Sequence, residues 1–502
     1  MIDDKKKVIV VGAGVAGLSS AIRLQAEGYD VEIVEKENIV GGKMHVIEKD
    51  GFRFDLGPTI VMMPDLYREI FEVAGKNPDD YIPMTRLDPM YRSYFDNGTD
   101  YIDVSSDLVQ LTKTLEAIDP EDAAGFLKYL SSIYERFLVA KDHFIQRPFR
   151  DKKDFYNPFM LRQTLKLKTF DSATKSIAKF VKNKKIQQML TFQTLYIGVS
   201  PDNGPSLYTI IPMIELLYGI WYIDGGMHKM AEGMEKVFLE LGGKIRFNAP
   251  VEKILIENAV AYGVRVNGEE LLSDYVICNA DFPYAMKNLV KDKKAKGKYT
   301  DEKIDAMNYS CSCFILYLGM DRKYDELEHV HTFVFSNDLD KNLEQVFNGE
   351  RLEDPSLYIV AASKVDSSVA PADKEGLYIL VPVSELSTAQ YEWDEEIVNY
   401  YREKALHAVS NLPGMATIKE EIISESVITP IDFRDRFNAY NGACFGLQPT
   451  LFQSNHFRPQ AKAEACENLY FTGSSTHPGA GVPIVLMSGK IAAEELMLDD
   501  NP

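Results

Sequence analysis

The sequence holds few of the residues that make covalent or metal staples. Its 502 residues include five cysteines, Cys278, Cys311, Cys313, Cys444 and Cys466, with no CxxC pair and an odd count. Cys311 and Cys313 alternate in a strand-like apolar run, so they point to one sheet face and do not bond each other. The reading is reduced, mostly buried thiols in a cytoplasmic protein. There is no HExxH and no Ser/His/Asp constellation, so no metal site is expected. Net positive charge is missing too: 55 Lys and Arg against 75 Asp and Glu leave −20. That excludes nucleic acid as a partner and a general attraction to anionic membranes. No apolar run is long and clean enough to span a bilayer. The nearest, 207–223, carries Glu215 and is broken by Pro212 and Gly219, and it reads as a buried helix pair and as a wall of an apolar cavity. Lys5, Lys6 and Lys7 precede an apolar run that Gly12 and Gly14 interrupt, with no small-residue cleavage site after it, so a signal peptide is not expected.

What is there is a large, ordinary globular composition, 45% hydrophobic and 26% charged, long enough for two or more domains. Val8-Ile9-Val10-Val11 signals a buried strand, a helical pattern with Leu18, Ala21, Ile22 and Leu24 inward follows, and 31–34 reads as the next parallel strand. Residues 108–185 look largely helical. Gly225-Gly226 and Gly242-Gly243 bracket a helix over 227–241, followed by alternating segments at 244–247, 251–256 and 260–266 that suggest an antiparallel piece. Another buried strand is predicted at 276–279, a mixture of strands and one helix (395–409) at 307–430, and a strand, glycine-rich loop and helix in the last 35 residues. Both ends thus carry strand-glycine-helix units. The predicted class is α/β with a Rossmann-like nucleotide domain built from 1–105, 224–290 and 431–502. Interleaved with it are a mainly helical substrate or membrane-contact region at 106–223 and a mixed sheet and helix region at 291–430.

Gly12-Ala13-Gly14-Val15-Ala16-Gly17 is a GxGxxG placed directly after a strand and opening a helix. The first glycine permits the tight turn, the second lets backbone approach a pyrophosphate, and the third lets helix and strand pack closely; the helix N-terminus favours the phosphates. Glu35 ends the second strand 23 residues after Gly12, where a carboxylate holds a ribose hydroxyl and disfavours the extra phosphate of NADP. Lys36 follows it. A second glycine pair and a cation, Gly41-Gly42-Lys43, then Gly57-Pro58-Thr59, extend the cradle beyond what a nicotinamide cofactor needs.

This arrangement resembles the FAD-binding superfamily of amine oxidases, protoporphyrinogen oxidase, Rab escort proteins and carotenoid desaturases. That signature ends in Arg where this chain has Lys43, which keeps the charge without the planar fork. The block from Asn468 to Pro483, with Thr476-His477-Pro478-Gly479-Ala480-Gly481-Val482-Pro483, resembles the bacterial-type phytoene desaturases, as do 191–198 and 204–208. The likeness covers essentially the whole chain and is greatest to the thirty-carbon branch, which acts on 4,4'-diapophytoene (dehydrosqualene). The related terminal-methyl oxygenases carry asparagine where His477 stands. The resemblance implies non-covalent FAD, with Gly473, Gly481 and Val482 against the flavin and Val251 near adenine. It implies an oxidoreductase of carotenoid biosynthesis that removes hydrogen from a long apolar polyene, passing electrons to a quinone or oxygen. The cofactor carries the hard step. His477 is the candidate to touch the reacting carbon, although a loop histidine bonded to backbone is the plainer reading. Asp55 and Glu215 are further carboxylates, and an Asp before Gly-Pro reads first as a turn residue.

Other readings on this scaffold are a carotenoid oxygenase or isomerase, a flavin amine oxidase, and a flavin-free prenyl-lipid carrier of the Rab escort kind. The cysteines do not match covalent flavin attachment, and the intact glycine motifs count against the carrier. One local charge pattern stands apart. Between 146 and 188 there are twelve Lys and Arg against three Asp, interleaved with Phe149, Phe155, Tyr156, Phe159, Met160 and Leu161. This suggests a peripheral contact with the inner face of the cell membrane, which a lipid-dissolved substrate requires.

Overall fold

The computed structural model describes residues 5–145, 152–167 and 171–500. Its first layer is a five-stranded parallel sheet in the order Leu469–Phe471, Tyr275–Cys278, Lys7–Val11, Asp30–Val34 and Lys244–Arg246. Val8, Ile9 and Val10 are fully buried, as a β-branched strand covered on both faces must be. The helices from the two chain ends, Val15–Ala26 and Val482–Asp500, pack against each other on this sheet. Gly489 makes the approach possible, since a Cβ there would lie 2.5 Å from the Ala16 carbonyl oxygen, and Ser19 Oγ donates to the Leu486 carbonyl at 2.9 Å. Helix His228–Glu240 covers the same helix from the other side. A small antiparallel sheet, Val251–Glu257, Val260–Val266 and Glu269–Leu272, adjoins this unit.

The second layer is a seven-stranded sheet in the order Ile422–Ile428, Ser312–Met320, Glu375–Val383, Leu357–Val360, His331–Val334, Tyr91–Phe95 and Asp100–Val104. All neighbours are antiparallel except His331–Val334 with Tyr91–Phe95. The period of two divides its faces. Cys313, Ile315 and Tyr317 join the core beneath the helical region, while Phe314, Leu316 and Leu318 pack with helix Glu395–Ser410. The helical region includes Leu108–Ile118, Pro120–Ala140, Pro158–Leu167, Lys184–Thr191 and Ile210–Tyr218. Asp107 and Asp119 accept from the first free N–H groups of the first two helices, the ordinary way to stop orphan donors.

Three details differ from the sequence-based expectation. Lys244–Arg246 pairs in parallel with Asp30–Val34 rather than joining the antiparallel piece, and along that edge Lys244 meets Asp30 at 3.1 Å and Arg246 meets Glu32 at 3.0 Å. The stretch 207–223 runs from a short 3-10 turn, Ser206–Thr209, into helix Ile210–Tyr218 and then a strand, Ile220–Ile223, paired with Met84–Leu87; Gly219, at φ +73°, makes the reversal. The large sheet recruits Tyr91–Phe95 and Asp100–Val104 from ahead of the expected boundary at 105, through a partner strand more than 200 residues away. Among the described residues no helix is long and apolar enough to cross a membrane.

Candidate active site

One cavity of about 730 Å³ runs between the two layers. Its polar end is built from the glycine turns. Gly12 adopts φ +95°, and a Cβ on Gly17 would stand 2.2 Å from the Gly12 carbonyl oxygen, so both positions require glycine. Gly41 pairs with Gly14 as an isolated bridge, and a Cβ on Gly42 would meet the Gly14 Cα at 3.3 Å. The two glycine motifs, with the bridged Gly14 and Gly41 27 residues apart in sequence, are therefore one bare backbone surface. A cradle that any side chain would fill is what an approaching pyrophosphate requires. The N-terminus of helix Val482–Asp500, through 482–485, lines the same cavity.

Glu35 is buried at 6% exposure beside this surface. Its Oε2 accepts from the Ala13 N–H at 2.6 Å and its Oε1 from the Glu37 N–H at 2.9 Å. Each oxygen keeps a lone pair that a ribose hydroxyl could use. The Ala249 N–H donates to the Glu35 carbonyl, which brings Val251 to the same wall. Lys36 lines the cavity, and burial holds its pKa below the usual lysine range. Lys43 turns its ammonium onto the Cys444 carbonyl at 2.8 Å.

Gly57, Pro58 and Thr59 are held by tyrosines of the seven-stranded sheet. Tyr317 donates to the Leu56 carbonyl, Tyr378 donates to the Gly57 carbonyl at 3.0 Å, and Tyr358 meets Thr59 Oγ1 at 2.7 Å. Gly473 (φ +121°) and Gly481 (φ +101°) shape the loop opposite. The cavity wall runs through 472–475 and resumes at Pro478; His477 is 1% exposed between these stretches, its N–H on the Pro459 carbonyl, and its side chain is not part of the lining. Asp55 is not in the cavity. It accepts from the Met227 and His228 N–H groups at 2.8 and 3.1 Å, where helix His228–Glu240 begins, and burial pushes its pKa up to about 6.

Four features were not visible in the sequence. Arg458, 1% exposed, donates to four backbone carbonyls, those of Leu447 at 3.0 Å, Gln453 at 3.1 Å, Ser474 at 2.6 Å and Thr476 at 3.1 Å, and burial lowers its pKa to about 10. It fixes the glycine-rich loop. Arg436, from helix Pro430–Phe437, also lines the cavity, close enough that its charge helps lower the pKa of Lys36. Two cations facing one cleft suit an anionic ligand. Arg436→Ala is expected to weaken flavin retention about tenfold, one charge-assisted bond's worth, read as flavin released on dialysis. The tyrosine clamp is the third feature and a thiol pair the fourth, Cys313 Sγ lying 3.4 Å from Cys444 Sγ. All five cysteines are buried and free. No local spacing announces any of these, because each joins segments remote in sequence.

Beyond the glycine cleft the cavity is apolar, walled by Phe144, Phe192, Leu195, Ile211, Ile214 and Phe333 among others. Near its 454–455 edge the surface carries exposed Phe452 and Phe457, and the Tyr156 ring meets His456 at 5.7 Å. Tyr156, Phe159 and Leu161 are more than half exposed. Of the basic segment, 146–151 and 168–170 lie outside the described residues. Three of its lysines are tied to carboxylates, Lys179 to Asp171 within the segment, Lys182 to Glu121 and Lys185 to both Asp96 and Asp100; the last three carboxylates lie outside the segment, so the local charge excess is smaller than the sequence count.

A nucleotide cradle continuous with an apolar chamber defines a flavin enzyme for a hydrophobic substrate. The chain matches the family described as flavin containing amine oxidoreductase over residues 15–497. It is 45% identical over 495 residues to a 4,4'-diapophytoene desaturase (4,4'-diaponeurosporene-forming) of Staphylococcus haemolyticus, covering 98% of this chain and 99% of that one. It is 43% identical over 497 residues to the protein of the same description from Staphylococcus aureus strain Newman, with the same coverage. Among solved structures, an oxidoreductase from Methanosarcina mazei superposes with TM-score 0.65 at 16% identity, over 98% of this chain and all of that one. A putrescine oxidase variant does so with 0.63 at 13% identity, over 99% of each; these two speak for the fold alone. The chain belongs to the flavin containing amine oxidoreductase family and, within it, to the carotenoid desaturase group that holds the 4,4'-diapophytoene desaturases. It is an FAD-dependent oxidoreductase.

Proposed function

We propose that the chain dehydrogenates 4,4'-diapophytoene, a thirty-carbon polyisoprenoid, to 4,4'-diaponeurosporene or a more desaturated product. The observation that carries this reading is the unbroken passage from the glycine cleft into an apolar chamber, in a chain 45% identical over nearly its full length to an enzyme of that description. FAD, when bound, accepts the hydride removed from the saturated carbon pair. Gly12, Ala13, Gly14, Ala16, Gly17, Gly42 and Lys43 would take its pyrophosphate, Glu35 and Lys36 its ribose side, Val251 its adenine, and Gly57, Pro58, Thr59, Gly473, Gly481 and Val482 its ring. The apolar side chains that wall the chamber would exclude water from the polyene.

The substrate arrives from lipid. The exposed Tyr156, Phe159 and Leu161, with Phe452 and Phe457 close by, support a peripheral membrane contact at the chamber's edge. A quinone in the same membrane, or oxygen, would reoxidise the flavin. In a host that makes 4,4'-diapophytoene, the chain is expected to give yellow polyenes whose band positions count the double bonds formed. Colourless cells with soluble, flavin-loaded protein would oppose the reading, and oxygenated products would favour the terminal-methyl oxygenase.

A further inference from the structure

Beyond the glycine cleft the chamber's wall is mostly apolar, with Tyr196, Tyr208, Tyr358 and Tyr378 among its polar side chains, and Tyr196 leads to a buried carboxyl that fold and cofactor leave unexplained. Helix Ile210–Tyr218 presents Ile210, Ile211 and Ile214 to the chamber, and the next residue, Glu215, is 1% exposed. Its Oε2 accepts from the Tyr91 hydroxyl and from Gln193 Nε2, each at 3.2 Å, and Gln193 Nε2 also donates to Tyr91 at 3.0 Å. Oε1 and the Tyr196 hydroxyl are both buried without a hydrogen bond to a described residue. Tyr196 follows Gln193 by three residues on the one helical turn Phe192–Ile197, and its ring packs on Phe333 as that of Tyr91 does, at 6.2 and 5.1 Å, so the hydroxyl stands on the carboxyl's side of the wall. No lysine, arginine or histidine among the described residues forms an ion pair with Glu215.

An unpaired buried carboxylate costs several kcal/mol, and glutamine of the same shape would keep the bonds to Tyr91 and Gln193 without that cost. The site also adjoins the reacting end of the chamber. The Tyr196 ring stacks on Phe333 at 6.2 Å, Phe333 stacks on Tyr358 at 4.8 Å, and Tyr358 is the hydroxyl that holds Thr59. All four residues line the cavity.

We propose that Tyr196 and Glu215 form the proton exit of the dehydrogenation, Tyr196 touching the substrate and Glu215 acting through it. This rests on the reading above. Dehydrogenation breaks two C–H bonds: one leaves with its electron pair, taken up by the family's flavin. The electron pair of the adjacent C–H bond becomes the second bond of the new C=C. Its proton passes to the Tyr196 oxygen as the hydroxyl's own proton passes to Glu215 Oε1, so the carboxylate ends as a carboxylic acid and Tyr196 is unchanged. Burial pushes the Glu215 pKa up to about 7, which lets it accept at neutral pH and release the proton afterwards. The titratable groups that face it, Tyr91, Tyr129, Tyr196 and Tyr358, are all held above the ordinary tyrosine range and stay neutral there.

The sign for stability follows. Glu215's folded pKa lies above its ordinary 4.5, so its contribution is complete below pH 4.5 and is lost as pH rises through about 7. Asp55 titrates lower, near 6, and is common to parent and variant. The test compares the FAD-loaded parent with E215Q, E215D and Y196F by anaerobic flavin bleaching on 4,4'-diapophytoene in liposomes, and the flavin-free proteins by thermal unfolding between pH 5 and 8. We expect E215Q to bleach about a hundredfold more slowly and Y196F about tenfold, at unchanged half-saturating substrate. The parent's rate should rise with pH around 7 and that of E215Q should not, with E215D partly restoring the rise. Unfolding of E215Q should gain on the parent as pH increases. Parental rate and pH profile in E215Q would overturn the proposal, and so would lower unfolding temperatures at every pH, which mark a structural carboxyl. A parent that never bleaches defeats the substrate reading, and the proposal with it.

Discussion

Arg458→Met is expected to yield little folded, flavin-loaded protein. The guanidinium is fully enclosed and has no carboxylate partner among the described residues; its donors go to the carbonyls of Leu447, Gln453, Ser474 and Thr476. Methionine fills much of the same volume but satisfies none of them. Leaving a buried acceptor without a partner costs about 1–3 kcal/mol, and four such losses are comparable with the whole stability of a folded domain, about 5–15 kcal/mol. Arg458→Lys keeps the charge and three donors without the planar fork, so an intermediate unfolding temperature is expected. Flavin content and unfolding temperature measure both. An Arg458→Met protein that matched the parent in both would show that the 472–483 loop holds itself.

The second large effect concerns Glu35. Its two oxygens tie the glycine turn and the chain after the second strand to one point through the Ala13 and Glu37 N–H groups. Glu35→Ala removes both bonds and the acceptor proposed for the ribose. With charge-assisted bonds at about 1.5–3 kcal/mol each and about 1.4 kcal/mol per tenfold, FAD affinity should fall by a hundredfold or more. Glu35→Gln keeps an acceptor for one N–H and should lose about tenfold. Fluorescence titration of the flavin-free proteins gives both numbers, and Glu35→Ala binding FAD as the parent does would remove Glu35 from the site.

Much of the nucleotide end was legible in the sequence because its chemistry is local. Gly12, Gly14 and Gly17 follow a Val/Ile strand, Glu35 falls at the end of the next, and no distant residue is needed to read them. Meeting of the chain ends was also legible, since strand Leu469–Phe471 and helix Val482–Asp500 repeat the strand-glycine-helix pattern of the first 35 residues. What escaped depends on partners far along the chain. Lys244–Arg246 carries an alternating pattern that suits either strand direction, and only its pairing with Asp30–Val34 assigns it. Tyr91–Phe95 is assigned to the large sheet only by His331–Val334. Arg458, Arg436 and the tyrosine clamp on 56–59 are single residues whose meaning lies in what they touch. Glu215 was visible as a charge in an apolar run, but not its company of Tyr91, Gln193 and Tyr196. The basic count over 146–188 was real, yet Asp96, Asp100 and Glu121, outside that window, offset part of it.

The most direct test of the central claim is anaerobic incubation of the FAD-loaded protein with 4,4'-diapophytoene in liposomes, following the flavin absorbance and the polyene bands together. The account predicts bleaching of the flavin with the appearance of longer-wavelength bands, whose end point counts the dehydrogenation steps. A flavin that stays oxidised with this substrate, and with the forty-carbon phytoene as well, would contradict it.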